Sequence, residues 1–271
     1  HSSWGSLDPL HYYRNNRDGT FTDQSRVSGL AGVLGGLNLI QADYNNDGHL
    51  DFLVLRGAWF GAQGKIPNSL IRNNGDGTFD DVTEETGLLS FHPTQTAAWF
   101  DYNNDGWIDL FIGNESSGND LNPCELFRNN RDGTFTECAA KSGLTFFGFV
   151  KGVASGDFNN DGSPDLYLSC NGTSNVLFRN DGARNDPKYP NEEWKFTDVS
   201  RRSRVQEPAY SFPTWFWDYD NDGWLDIFVS GYKLSDVGDI AADNQGLPHG
   251  AERARLFRND GKGRFTDETE S

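Results

Sequence analysis

The sequence predicts an all-β protein built from repeated four-stranded units. Three observations support this fold class. An acidic motif recurs four times between short β-rich runs, and a second motif typical of hairpin turns recurs five times in step with it. The composition agrees, because 31 glycines and an aromatic content of 14% suit short strands joined by tight turns.

The first motif is an acidic segment of nine residues, and its four copies align without gaps. The copies read DYNNDGHLD from Asp43, DYNNDGWID from Asp101, DFNNDGSPD from Asp157 and DYDNDGWLD from Asp218. Their starts are 58, 56 and 61 residues apart. Runs such as AAWF before the motif and FLVL or LFIG after it are short and rich in β-forming residues. Each copy is therefore predicted to be a loop between two strands.

The second motif is typical of a β-hairpin, since a short strand meets an Asn/Asp-Gly turn and a new strand begins at Phe. Its copies begin at Arg14, Arg72, Arg128, Arg179 and Arg258. We interpret the repeated Arg as an anchor for carboxylates between strands or blades. The lone turn residues Asp18, Asp76 and Asp132 are interpreted as structural.

Together the motifs give a unit of strand, acidic loop, strand, loop, strand, turn and strand, which is the four-stranded antiparallel blade of a β-propeller. A stacked solenoid is the rival architecture, but the observed period is longer than most strand-per-turn solenoids allow. No segment has a sustained 3.6-residue apolar period, so helices beyond a single turn are not predicted. We expect one propeller segment over 1–271, forming an incomplete ring of about four and a half blades. Its parts are a half blade at 1–30 and blades at roughly 31–88, 89–144, 145–203 and 204–271.

The first motif also predicts calcium sites. Ca²⁺ takes about six to eight oxygen ligands at about 2.3–2.6 Å. Side chains at loop positions 1, 3, 5 and 9 and the carbonyl of position 7 would supply oxygens, and glycine at position 6 permits the bend. The predicted ligands, about four ions in all, are Asp43, Asn45, Asp47, His49 and Asp51; Asp101, Asn103, Asp105, Trp107 and Asp109; Asp157, Asn159, Asp161, Ser163 and Asp165; and Asp218, Asp220, Asp222, Trp224 and Asp226.

Two other interpretations of this motif are weaker. An EF-hand has a bidentate Glu at position 12 between helices, whereas position 12 here is Val54, Ile112, Leu168 or Val229 inside a predicted strand. Turn chemistry alone explains one DxNxDG segment, but it does not require the distant Asp at position 9 that all four copies keep. Converging carboxylates would also repel one another without a cation. Mg²⁺ is disfavoured because it prefers fewer protein ligands and more water.

Charge and composition exclude several classes. The net charge of −17 opposes nucleic-acid binding, which needs basic patches, and no apolar run is long enough for a membrane span. Three cysteines are too few for a disulfide scaffold. Cys124 and Cys138 flank one predicted hairpin, so they are either a cross-strand disulfide or two buried thiols, with Cys170 unpaired.

The residues of both motifs resemble the FG-GAP/VCBS repeat family, which includes the propellers of integrin α subunits and the cartilage acidic protein type with its bacterial relatives. The resemblance implies a secreted or cell-surface protein with calcium in the Asp loops and a role in adhesion or ligand binding. We therefore expect an extracellular module whose partner is a protein, a glycan or another subunit of an extracellular assembly.

No catalytic motif occurs, so an enzyme is not predicted. The alternatives are the propeller of a polysaccharide-acting lyase or hydrolase and a structural subunit of an extracellular assembly. Loops on the face opposite the acidic loops are the expected contact region. The candidate contact residues are Trp59, Phe60, Lys65, Tyr232 and His249. Phe146, Phe147 and Lys151 occupy a similar loop, and blade-to-blade packing is the alternative role for each of these residues.

Overall fold

The computed structural model describes residues 8–183, 194–231, 233 and 237–269. The chain begins with a two-stranded antiparallel sheet of β1 (Tyr13–Asn15) and β2 (Phe21–Asp23). Four sheets of four antiparallel strands follow, each in simple sequential order. The predicted all-β fold of four-stranded antiparallel blades is confirmed.

We number the four-stranded sheets as the first to fourth blade. The first blade contains β3 (Asn38–Ala42), β4 (Asp51–Leu55), β5 (Ser69–Asn73) and β6 (Phe79–Asp81). The second contains β7 (Thr94–Phe100), β8 (Asp109–Asn114), β9 (Glu125–Asn129) and β10 (Phe135–Glu137). The third contains β11 (Val150–Gly156), β12 (Asp165–Cys170), β13 (Val176–Ala183) and β14 (Trp194–Asp198). The fourth contains β15 (Ser211–Trp217), β16 (Asp226–Gly231), β17 (Arg255–Asn259) and β18 (Phe265–Asp267).

This order places the two sequence motifs at the same edge of every blade. Neighbouring strands run antiparallel, so the loop between the first and second strands and the turn between the third and fourth lie together. The contact of His49 in the first acidic loop with Gly75 in the first hairpin turn shows this, because a Cβ on Gly75 would lie 2.3 Å from the His49 Nε2 atom. We call this edge the motif face and the opposite edge the loop face.

The hydrophobic core lies between blades. One cluster joins the first and second blades through residues such as Leu53 and Leu110. A second joins the second and third blades through residues such as Phe111 and Leu168, and a third joins the third and fourth through Tyr167 and Ile227. The first strands β3, β7, β11 and β15 lie side by side, as the innermost strands of a propeller do.

Helical segments are few among the described residues. Short helices α1 (Ala139–Ser142) and α2 (Ser200–Ser203) follow the last strands of the second and third blades, and 3₁₀ turns occur at Leu30–Gly32 and Gly61–Gly64. The eight-residue helix α3 (Val237–Asn244) was not predicted, because eight residues are too few to establish a helical period. No described helix has the length and apolarity needed to cross a bilayer.

The three cysteines are free and buried, so the disulfide alternative for Cys124 and Cys138 is corrected to two buried thiols. The strand register explains this. The backbone N–H of Cys138 donates to Leu126 O at 2.7 Å, so Cys138 lies opposite Leu126 and not opposite Cys124. Burial raises the pKa of all three thiols, Cys170 included. These cysteines therefore act as small apolar core residues.

Candidate metal centres on the motif face

The four acidic loops have the same backbone path. Position 4 adopts a left-handed conformation at Asn46, Asn104, Asn160 and Asn221, with φ between 53° and 58°. Glycine at position 6 has φ between 84° and 87° in every copy. Asn tolerates the left-handed region better than most residues do, and glycine enters it without strain. The sequence NDG therefore allows the chain to fold back on itself within nine residues.

Hydrogen bonds hold the side chains of positions 1 and 5 inside each loop. In the second loop, Asp101 Oδ1 accepts from the N–H of Asp105 at 3.0 Å, and Asp101 Oδ2 accepts from the N–H of Gly106 at 2.8 Å. The N–H of Trp107 donates to Asp105 Oδ1 at 2.9 Å. The same three bonds recur in the other loops with distances of 2.7–3.1 Å. The loops thus gather carboxylate oxygens around one centre.

Among the described residues, three acidic side chains converge in the fourth loop, where position 3 is an acid, and Asp226 at position 9 is not part of this group. Carboxylate oxygens of Asp218, Asp220 and Asp222 lie within 4.8 Å of one another. This separation is about twice a usual Ca²⁺–oxygen distance, so the three oxygens can contact one ion. The other loops have Asn45, Asn103 or Asn159 at position 3, and these amides also offer a carbonyl oxygen.

The Asp at position 9 lies beneath each loop at the start of the second strand. Asp51, Asp109, Asp165 and Asp226 are each at most 1% exposed. Both carboxylate oxygens accept backbone hydrogen bonds: in the second loop the donors are Asn129 N at 2.7 Å and Tyr102 N at 3.2 Å. Burial, opposed by these bonds and assisted by nearby carboxylates, raises the pKa of Asp51 to about 6 and those of Asp109 and Asp165 to about 8. A cation at the loop would favour the ionised form of these buried acids.

The Asn that follows Arg in the second motif was not singled out in the sequence, yet it joins loops of successive blades. The side chain of Asn129 donates to Tyr44 O in the first loop at 2.8 Å and to Ile108 O in the second at 3.1 Å. Asn180 and Asn259 make the same pair of contacts one blade further on. The signal that could have identified this role is the presence of Asn at this position in all five copies.

The second, third and fourth acidic loops also contact one another directly. Asn104 Nδ2 in the second loop donates to Gly162 O in the third at 2.7 Å, and Asn160 Nδ2 in the third donates to Gly223 O in the fourth at 3.0 Å. The acidic loops therefore form a connected row along the motif face.

The repeats match a family model described as an FG-GAP-like repeat at residues 3–54, 58–112, 101–168 and 157–229. These matches cover most of the chain and include all four acidic loops. The chain belongs to the FG-GAP-like repeat family. The resemblance inferred from the motifs is thereby confirmed.

Relatives of this FG-GAP-like chain include cartilage acidic protein 1 from Xenopus tropicalis and from Homo sapiens, each 26% identical over 236 residues. The Mus musculus protein of that name is 25% identical over 240 residues. The alignments cover 82% of this chain and 33–34% of the relatives. The chain thus spans about a third of the length of the relatives that it matches.

Three of the five repeated Arg residues of the FG-GAP-like units, Arg72, Arg179 and Arg258, pair with carboxylates. Arg72 pairs with Asp80 at 3.2 Å and with Glu85 at 3.3 Å, both in its own blade. Arg258 instead reaches the fourth acidic loop, with Nε 2.6 Å from Asp220 and Nη2 3.2 Å from Asp222. This Arg is therefore a neighbour of a candidate metal centre as well as an anchor.

The lone Asp residues of the hairpin turns have a local structural role. Asp18, Asp76 and Asp132 each accept hydrogen bonds from the N–H and hydroxyl of the Thr two residues later. These bonds, chiefly the one from the hydroxyl, lower the pKa of the three carboxyls. The turn acids thus serve as caps within exposed turns.

The candidate contact residues lie in separate loops of the loop face. Phe60 is 42% exposed, and Lys65, in the same loop, pairs with Asp120 at 2.7 Å. His249 lies in the loop before β17, where its Nδ1 atom accepts a hydrogen bond from the backbone N–H of Ala251 at 3.2 Å. His49, by contrast, lies on the motif face and is not one of these candidates. The remaining candidate, Tyr232, lies outside the described residues.

Trp59 and Lys151 have the alternative role that the sequence left open, because they pack between blades. The Lys151 ammonium lies 3.2 Å from the centroid of the Trp59 ring and donates to the carboxylate of Glu115 and to Gln95 Oε1. Trp59 also stacks on Phe212 at 6.3 Å. The side chains of Lys151 and Glu115 are fully buried. Since these residues come from all four blades, we call this group the four-blade junction.

Asn129→Ala is expected to lower the free energy of unfolding by about 1–3 kcal/mol, because the buried carbonyls that it satisfies would lose their donor. Urea unfolding measures this change. The neighbouring Asn130→Ala is the control, since Asn130 Nδ2 bonds only within its own turn. Equal effects of the two substitutions would contradict a role for Asn129 in joining blades.

Proposed function

We propose that this chain is a calcium-stabilised, extracellular β-propeller segment that acts as a protein- or glycan-binding adhesion module. The observation that carries the proposal is the fourfold repetition of one loop geometry, with carboxylate oxygens that converge in the fourth loop. Four copies of an acidic turn are expected where a cation offsets the repulsion.

The donor set favours calcium. Each loop offers only hard oxygen donors: Asp or Asn side chains at positions 1, 3 and 5, a carbonyl at position 7, and the buried Asp at position 9. The position-9 carboxylate already accepts two backbone N–H bonds, so its part as a ligand would use its remaining lone pairs. Several protein oxygens around one loop suit Ca²⁺ better than Mg²⁺, which keeps more of its water.

The position of the loops supports a structural role for the ion. Each loop connects the innermost strand of a blade to the next strand, and the Asn side chains of the second motif tie it to the adjoining blade. An ion that fixes one loop would therefore also fix its neighbour.

The loop face supports the binding role. The connections between second and third strands have 13, 10, 5 and 23 residues in the four blades, whereas the acidic loops keep one length. Rigid scaffolds commonly bind through loops that vary in this way. The name of the cartilage acidic protein relatives and the chain's acidity agree with an extracellular place. An array of matrix proteins and glycans, probed with calcium and then with a chelator, tests this role, and absence of binding in calcium would contradict it.

Asp105→Ala is expected to reduce the number of calcium ions bound from about four to three, because position 5 contributes its carboxylate to the second loop only. Calorimetric titration of the decalcified protein measures the number of sites. The matched control is Asp132→Ala, which removes an exposed acid from the adjacent hairpin turn. If Asp105→Ala binds as many ions as the unchanged protein, the second loop is not a calcium site.

A further inference from the structure

A small pocket lies on the motif face where the third and fourth blades meet. Its volume is about 140 Å³, and one wall is the hairpin turn Gly261–Gly263 of the fourth blade. The third blade provides the other wall: Phe158, Asn159, Arg179, Val199, Arg202 and Ser203. Ser203 Oγ donates to Gly263 O at 2.9 Å, so the two walls are hydrogen-bonded to each other.

The lining is basic in a chain of net charge −17. Three cations, Arg179, Arg202 and Lys262, lie around the pocket. Asp181 pairs with Arg179 at 2.5 Å. Among the described residues, no carboxylate pairs with Arg202 or Lys262. Asp260 interacts with Lys262 electrostatically but forms no ion pair with it, so in the described part of the chain the lining of the pocket is predominantly positive.

Comparison of the repeats shows that Arg202 contributes a positive charge at a position where the first blade has an acid. Arg202 lies six residues after Phe196, and the residues six positions after the equivalent Phe79 and Phe135 are Glu85 in the first blade and Lys141 in the second. Glu85 forms an ion pair with Arg72, the counterpart of Arg179. Arg202 replaces that acid, so Arg179 and Arg202 face the same pocket as like charges.

A second replacement of an acidic by a basic residue occurs in the wall that the fourth blade provides. The position four residues after the repeated Arg holds Lys262 in the last hairpin turn. In earlier repeats it holds Asp18, Asp76, Asp132 and Ala183. Only the junction of the third and fourth blades combines a basic residue at this turn position with one at the position of Arg202, within the described part of the chain.

We propose that this pocket binds a single oxyanion, a sulfate or a sulfate ester of a saccharide. Arg forms paired hydrogen bonds to tetrahedral oxyanions, and Lys adds a point charge. A recess lined by one sign of charge also raises the local concentration of counter-ions. The volume suits one such group and excludes a whole oligosaccharide, so a glycan would present a terminal or pendant anion. The site goes beyond the calcium proposal, although Asn159 in its lining also belongs to the third acidic loop.

The test is a titration with inorganic sulfate and, separately, with a sulfated monosaccharide, at constant ionic strength in chloride. Amide chemical shifts of 261–263 report binding. Arg202→Glu, which restores the acid of the first blade, and Lys262→Asp, which restores the acid of the earlier turns, are each expected to weaken binding at least tenfold. Both changes copy residues that the same fold already accepts.

Arg201→Glu is the matched control, because it makes the same charge change on the adjacent residue, which does not line the pocket. It is expected to change the affinity by less than twofold. Tighter binding of the ester than of free sulfate assigns a glycan group, and equal binding assigns the free anion. No binding of either probe, or equal losses for Arg201→Glu and Arg202→Glu, would overturn the proposal. Asn159 lines both this pocket and the third acidic loop, so calcium is kept saturating in every titration and the calcium affinity of each variant is measured in parallel. A loss of sulfate binding at saturating calcium is then distinguishable from a loss of the calcium site.

Discussion

Removal of calcium is expected to lower the melting temperature of the protein by at least about 20 °C. A ligand that binds only the folded state adds about 2.7 kcal/mol of stability at a hundredfold excess over its dissociation constant. Four such ions would contribute about 11 kcal/mol, which is comparable to the whole stability of a typical domain. For a chain of this size, each kcal/mol corresponds to roughly 2–4 °C.

Differential scanning calorimetry in excess calcium and in excess chelator measures this shift. Magnesium added back at the same concentration is the control, and it should restore little of the melting temperature because the loops offer many protein oxygens. A melting curve that chelation leaves unchanged would show that the acidic loops do not need an ion for stability.

Lys151→Met is expected to lower the free energy of unfolding by about 3–5 kcal/mol. The substitution would leave Glu115, whose side chain is fully buried, without its ion-pair partner at the four-blade junction. Burial lowers the pKa of Lys151 to about 8 and raises that of Glu115, so both charges depend on each other. The cation–π contact with Trp59 would also be lost.

A double-mutant cycle separates the pair from its surroundings. Lys151→Met combined with Glu115→Gln should recover a large part of the loss, because no unpaired charge then remains. The matched control is Lys65→Met, because Lys65 is 45% exposed in its pairing with Asp120 and solvent screening should make this pair contribute far less. Additive effects of the two junction substitutions would contradict the coupling.

The repeats made the local structure predictable. Alternation of short β-rich runs with NDG turns identified the four strands of each blade, because these signals lie within a few residues of one another. The same local pattern placed Asp43 and its counterparts in loops between strands. The helix α3 escaped prediction because its eight residues lie in a long loop without a repeated counterpart.

Contacts between segments that are distant in the sequence could not be predicted. Trp59 and Lys151 are 92 positions apart, so nothing in the sequence showed that the Trp59 ring packs on the ammonium of Lys151, which pairs with buried Glu115. The register that separates Cys124 from Cys138 likewise required the paired strands. The aligned repeats show that Arg202 and Lys262 stand where other repeats have acids. Only the packing of the third blade against the fourth shows that these two residues lie in one pocket.

The most direct test of the central claim is a crystal structure of the protein grown with ample Ca²⁺, with anomalous scattering used to identify the ion. We expect one calcium peak in each of the four acidic loops, about 2.3–2.6 Å from the carboxylate oxygens of positions 1 and 5. Water alone in loops of this geometry, at calcium concentrations in the millimolar range, would contradict the proposal that calcium holds the motif face together.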